Sequence, residues 1–213
     1  MMSRLGQVFD GMPKPEMAPT IARRFDEIPS GSVCGLDFMS DFGLASLEHW
    51  RDIFAKVAQR DDCQFVFTTK RPERFEAHGH ELTWPDNLWM GVSIENGDYN
   101  YRADILKRIP AKHYWLSIEP MIGCVDGLDL TLIEWIVTGG ESGKNRRHFD
   151  PQWAYDIGQQ ALEIGVEWYH KQGSCERPDT NRILFGHEYN GKPAAFKRPF
   201  IKVVPEPEQL RLF

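Results

Sequence analysis

The run Ile-Glu-Trp-Ile-Val-Thr-Gly-Gly-Glu-Ser-Gly, from Ile133 to Gly143, restricts the fold of this chain more than any other stretch. A β-branched apolar segment stops abruptly at Gly139-Gly140, and Glu141 and Ser142 follow before Gly143. The first half reads as a buried strand. The second half reads as a loop whose backbone takes conformations that only glycine adopts cheaply. Downstream, Asp150-Pro151 marks a helix start, with Asp as N-cap and Pro in the first helical position. Strand, glycine loop and helix together form the β-to-α side of an α/β unit. Barrels and open α/β sheets hold their ligands on that side.

The rest of the chain repeats the pattern. Apolar runs predict strands at 33–38, 64–69, 88–94, 112–118, 133–138 and 166–170. Between them, Leu44, Leu47, Trp50, Ile53, Phe54 and Val57 form a helical stripe over 44–59. Pro72 opens a short helix, 99–108 is a helix stopped by Pro110, and 151–164 is a helix ended at Gly165. Alternating strands and helices imply a parallel sheet with right-handed crossovers. The expected fold class is therefore α/β, a parallel (βα) partial barrel, TIM-barrel-like, of about six strands. Residues 1–32, broken by Pro13, Pro15, Pro19 and Pro29, read as an irregular arm, 33–198 as the barrel domain, and 199–213 as a tail. With 213 residues, 41% of them hydrophobic, the chain has enough apolar surface for one such domain. Trp84, Trp89, Trp115, Trp135 and Trp168 fall in or beside strands and are expected in its core.

Each predicted strand hands over polar residues at its C-terminal end. In order these are Asp41; Lys70 and Arg71; Ser93 and Glu95; Glu119; Glu141 and Ser142; and Lys171 and Gln172. In a barrel these ends gather at one mouth and make a pocket for a polar ligand. Asp41, Lys70, Glu119 and Glu141 are the catalytic candidates. Arg71, Ser93, Glu95, Gly139, Gly140, Ser142, Gly143 and Lys171 are the ligand-binding candidates, because paired cations and exposed backbone N–H groups suit phosphate or carboxylate. Alternatively, Asp41, Glu95, Glu119 and Glu141 form a carboxylate cluster for acid–base work or a divalent cation. Arg74, Arg146 and Arg147 are more simply read as solvated or paired with carboxylates. His78 and His80, one residue apart, lack a third and fourth ligand, so no metal site is expected there. Ser142 has a glycine two residues before it and none two residues after, which is not a nucleophile elbow. The net charge of −6 argues against a broad sequence-independent DNA surface and leaves room for a local basic pocket.

Met39-Ser40-Asp41, Thr69-Lys70-Arg71-Pro72-Glu73-Arg74, Trp89-Met90-Gly91-Val92-Ser93-Ile94-Glu95, Glu119-Pro120 and Gly139-Gly140-Glu141-Ser142-Gly143 also occur in an order and spacing that resemble a family. They look like the phage gene product 37 / gene product 68 family, an uncharacterised group whose fold is similar to the radical S-adenosylmethionine barrel. Within that superfamily the sequence looks closest to the spore photoproduct lyase branch, which repairs DNA. The resemblance implies a radical-SAM-like partial barrel that takes S-adenosylmethionine or a nucleotide. It also implies a cysteine cluster upstream of the Met-Ser-Asp strand, whose thiolates would hold an iron–sulfur cluster. This sequence departs there. Residues 1–32 contain no cysteine, and Cys34, Cys63, Cys124 and Cys175 have no neighbour at ligand spacing. A cluster in this chain alone is not expected. The chain is then a split product whose partner brings the cysteine motif, or a descendant that lost the cluster.

The last residues carry a separate signal. Gln209, Leu210, Leu212 and Phe213 follow the polar stretch 205–208 and resemble the bacterial sliding-clamp-binding pentapeptide, docking as a linear motif. The competing account packs Leu210, Leu212 and Phe213 back onto the domain. Joined to the first resemblance, the tail implies a phage-type accessory protein of the bacterial host cytoplasm. It would be tethered to the clamp and act in DNA repair, modification or replication control, and its contact with nucleic acid would be indirect. A non-catalytic adaptor or inhibitor that binds the clamp or an enzyme partner is the rival. No apolar run approaches membrane-spanning length.

Overall fold

The computed structural model describes residues 25, 28–36, 41–178, 181–197 and 200–202. Met39 and Ser40 of the first motif, and Gln209, Leu210, Leu212 and Phe213 of the tail, lie outside the described residues. The fold is α/β, of the partial parallel (βα) barrel class. Its strands in chain order are β1 (Val33–Gly35), β2 (Gln64–Thr69), β3 (Leu88–Ser93), β4 (His113–Ile118), β5 (Trp135–Gly139), β6 (Glu167–Gln172), β7 (Ile183–Leu184), β8 (His187–Glu188) and β9 (Phe200–Lys202). The helices are α1 (Leu47–Ala58), α2 (Pro72–His78), α3 (Tyr101–Leu106) and α4 (Pro151–Glu163). The main sheet has the order β6-β5-β4-β3-β2-β1-β9. The pairings β1–β2, β1–β9, β4–β5 and β5–β6 are parallel. Among the described residues no helix is long and apolar enough to cross a membrane.

The expected six strands are all present, and β9 adds a seventh. Residues 200–202, assigned to the tail on sequence, pair with 33–35 instead. Three residues are too few to show a period. The chain divides into two compact units: Met1–Trp89, Pro110–Lys112 and Ala195–Phe213 form one, and Met90–Ile109 and His113–Ala194 the other.

The first unit is built on aromatic packing. Helix α1 is capped by Ser46, whose side chain accepts from the His49 N–H, and it buries Trp50, Ile53, Phe54 and Val57. It starts later than the stripe predicts because Phe42–Leu44 forms a 3-10 turn, capped in turn by Asp41. Trp50 stacks on Phe75 with centroids 4.1 Å apart, and Phe42 meets Phe67 at 4.8 Å. Trp84 lies against Phe54 at 4.8 Å. Phe25, in the stretch read as an irregular arm, is buried and stacks on Phe65 at 5.2 Å.

In the second unit the β4–β5–β6 ladder has two chemically distinct faces, because side chains alternate along each strand. Ile136, Thr138, Trp168 and His170 share one face, and α4 covers it. Gly158 of α4 lies so close to the Trp168 ring that a Cβ there would fall 2.3 Å from it. The register pairs Trp115 with Trp135, Ser117 with Val137, Trp135 with Glu167 and Val137 with Tyr169, which places these residues on the opposite face. There Trp115 stacks on Trp135 at 5.0 Å and also leaves no room for a Cβ at Gly91. The β7–β8 hairpin closes through Phe185 and Gly186, both with positive φ (49° and 84°).

Candidate functional site

The predicted strand-end residues fall into separate clusters, and most of them are engaged with one another. In the first unit, Asp41 Oδ1 accepts from the Gly43 N–H at 2.9 Å and the Thr69 hydroxyl at 2.5 Å. Its Oδ2 accepts from the Lys70 N–H at 3.1 Å and from Arg71 Nη1 at 2.8 Å. Thr69 Oγ1 accepts in turn from the Arg71 N–H. The carboxylate therefore ties the loop after β1 to the end of β2, and both its oxygens are occupied. Gly43 is required by this knot, since a Cβ would sit 2.3 Å from Thr69 Oγ1. Arg74 bonds the Gly43 and Ala45 carbonyls and lies over the Trp50 ring. Asp41 and Arg71 were expected to face a ligand; what they hold is each other.

Two carboxylates of the second unit are bound just as firmly. Glu95 is buried, and its Oε2 accepts from Arg102 Nη1 at 2.9 Å, while the same Nη1 donates to the Ser93 carbonyl at 2.7 Å. Arg102 is itself buried and lies 4.2 Å over the Tyr99 ring. Ser93 contributes its carbonyl to this pair. Glu141 forms a two-pronged pair with Arg147, Nε to Oε2 at 2.9 Å and Nη2 to Oε1 at 3.0 Å, and also accepts from the Arg147 N–H at 2.8 Å. The Arg147 guanidinium holds the Glu141 carboxyl below its usual range. Arg102 went unrecognised on sequence because it stands in an ordinary helical segment. The simpler reading of Arg147, a partner for a carboxylate, is the one seen.

Glu119 differs. It follows β4 directly, and its Oε1 lies 3.3 Å from Lys171 Nζ. Among the described residues, its Oε2 makes no hydrogen bond. The pair depends on an irregularity in the sheet. Thr138 pairs with His170 but Gly139 pairs with Gln172, so Lys171 is an extra residue on β6. A bulge of this kind re-aims a side chain, and here it brings Lys171 to Glu119. Gly139 lies beneath them, where a Cβ would fall 2.6 Å from Glu119 Oε1 and displace that carboxylate. Gln172 Nε2 donates to the Gly140 carbonyl, and Ser142 forms a bridge with Cys175, which zips the glycine loop to the chain after β6. Gly143, with φ at +119°, sits in that loop. Glu119, Lys171, Gly139, Gly140 and Gln172 thus converge in one place. Ser142 and Gly143 act as backbone, and Asp41, Glu95 and Glu141 are held by their own arginines.

Behind this site, on the α4 side, lies a residue the sequence reading passed over. His170 is 1% exposed, and its Nδ1 lies 3.0 Å from Thr138 Oγ1, which also accepts from Trp168 Nε1. Its Nε2 is buried without a partner, and burial lowers its pKa to about 4. No sequence signal marks it, because its neighbours become visible only with the β5–β6 register.

The cysteines do not assemble a thiolate set. Cys34 and Cys63 are buried, and burial pushes the Cys34 thiol up to about 12. Cys124 is exposed, and Cys175 donates to the Arg177 carbonyl. Among the described residues no three His, Cys, Asp or Glu side chains are placed to hold a metal ion. These cysteines therefore do not fit an iron–sulfur cluster. His78 pairs with Glu81 at 2.9 Å on the surface.

A family model described as a protein of unknown function, DUF5131, matches residues 32–195. No curated protein and no solved structure gives a match.

Proposed function

The chain belongs to the DUF5131 family, and we propose that it is a radical-SAM-like barrel protein without its own iron–sulfur cluster. In this reading it binds a small polar ligand at Glu119 and Lys171. It works in DNA repair, modification or replication control while tethered to the bacterial sliding clamp by Gln209, Leu210, Leu212 and Phe213. The observation that carries the ligand reading is the half-engaged Glu119 carboxylate beside Lys171 over the Gly139 floor. A carboxylate oxygen next to an ammonium group suits a ligand that carries both donors and an anionic group. S-adenosylmethionine and nucleotides have that chemistry, with ribose hydroxyls or an amine for Glu119 and a carboxylate or phosphate for Lys171.

Titration calorimetry of the full chain with S-adenosylmethionine and with ATP tests this. Glu119→Gln or Lys171→Met should weaken binding of the preferred ligand by about tenfold, the scale of one charge-assisted hydrogen bond (~1.4 kcal/mol). If neither ligand binds, or both variants bind like the parent, the ligand reading fails. Capture of the clamp by the full chain, and its loss on removing residues 209–213, tests the tether separately.

One observation favours a second reading, the non-catalytic adaptor. Asp41, Glu95 and Glu141 are fixed by arginines or backbone donors and are not poised for proton transfer. Clamp capture through the tail without binding of either small ligand would select the adaptor.

A further inference from the structure

We propose that the β5–α4 loop, residues 144–148 together with Trp153, is a contact surface for single-stranded nucleic acid. The chain carries a net charge of −6, yet Lys144, Asn145, Arg146, Arg147 and His148 run together without an acid among them. All five are exposed. Surface charge that serves only solubility is usually interspersed in sign; this run is not.

The structure separates the cations. Arg147 is neutralised by Glu141. Arg146 is held in place by a bond from Nη1 to the Gly143 carbonyl at 3.1 Å, an anchor that leaves its charge uncompensated. Among the described residues neither Lys144 nor Arg146 has an acidic partner. A second feature stands beside them. Trp153, in the first turn of α4, is only half-buried, and the His148 ring meets it edge-on, centroids 5.6 Å apart at 86°. Its indole N–H has no acceptor among the described residues. Cations that track a phosphate backbone beside an aromatic face that takes an unstacked base are the parts of a single-strand site. A duplex hides its base faces, so the Trp153–His148 pair selects the single strand. This surface gives the chain a direct nucleic-acid contact, where the tail alone implies only an indirect one. It draws on the proposed role at DNA only for its choice of ligand.

Fluorescence anisotropy with a labelled oligothymidylate about 20 nucleotides long, against a duplex of the same length, tests it with the full chain. The parent should bind the single strand more tightly than the duplex at low salt. Lys144→Gln with Arg146→Gln should weaken binding and lower the slope of log K against log salt by about 1.4, two cations at ~0.7 each. Trp153→Ala should weaken single-strand binding and leave duplex binding unchanged. These side chains are exposed or half-exposed, and circular dichroism checks that each variant folds. Removing residues 209–213 should change none of these affinities, so failure of the clamp reading and failure of this one are distinguishable. Three outcomes would overturn the proposal: no binding at low salt, an unchanged salt slope in the double variant, or equal duplex binding with Trp153→Ala silent.

Discussion

His170 should make this fold sensitive to mild acid, and the size of the effect follows from its surroundings. The imidazole is 1% exposed, with Nδ1 on the Thr138 hydroxyl and Nε2 unpartnered. A cation there would lose its hydration and gain no counter-charge, so the folded state favours the neutral ring. Its pKa falls from 6.5 to about 4. The sign follows from proton counting. Between pH 4 and 6.5 the unfolded chain binds the proton and the folded chain does not, so stability falls as pH drops through that window. The full span, 6.5 minus about 4, corresponds to ~3 kcal/mol at ~1.4 kcal/mol per unit. From pH 7 to pH 5 the expected loss is about 2 kcal/mol, because most of the unfolded imidazole titrates in that interval. The assay is urea denaturation at a series of pH values, with the parent compared against His170→Asn. The depressed carboxylates Asp62, Asp129 and Glu141 lose their contribution only as pH falls below the ordinary carboxylate range, so they leave this interval clear. The parent should lose about 2 kcal/mol more than the variant between pH 7 and 5. Equal slopes in the two chains would refute the reasoning, whatever the absolute stability of the variant.

Other perturbations have equally definite outcomes. Arg102→Ala takes the guanidinium away from the buried Glu95 carboxylate and should cost ~3–5 kcal/mol by chemical denaturation, whereas Glu95→Gln with Arg102→Met should recover much of that loss. Gly158→Ala drives a methyl into the Trp168 ring and should cost ~1–3 kcal/mol, even though alanine is the better helix former. Asp41→Ala should lower the melting temperature, with ~1–3 kcal/mol lost for the backbone donors left unpaired, and should leave the affinity of any ligand held by Glu119 and Lys171 unchanged.

The sheet was legible because it rests on long local signals. Gln64–Thr69 is a strand over the residues predicted, and α4 begins at Asp150-Pro151 as its cap requires. Four of the five tryptophans assigned to the core are buried, and Trp84 is half-buried against Phe54. What escaped was short or relational. Strand β9 has three residues, and the β7–β8 hairpin only two in each strand, too few for a period to show. The division into two units was equally invisible, since it depends on contacts rather than on composition. In the site, residue types were readable but their partners were not. The Lys171–Glu119 pair needs a bulge that no residue announces, and Arg102 lies seven positions after Glu95.

This difference between type and partner decides how the strand ends should be understood. A polar residue at the end of a buried strand can serve a ligand, or it can satisfy the backbone where the sheet stops and the loop turns away. Asp41 does the second: its carboxylate accepts from the Gly43 and Lys70 amides at the loop after β1 and the end of β2. Glu141 does the same for the Arg147 amide. Both were singled out on sequence because they stand at the C-terminal ends of predicted strands. That position also creates the need for a side-chain acceptor. Glu119 meets no such need. The backbone beside it is already satisfied, with the Met121 N–H bonded to the Gly139 carbonyl. Its carboxylate rests over a glycine and turns to a lysine that a bulge has redirected. Structural closure at that point needs neither the bulge nor the lysine it redirects. That convergence distinguishes the Glu119 cluster from the Asp41 and Glu141 knots.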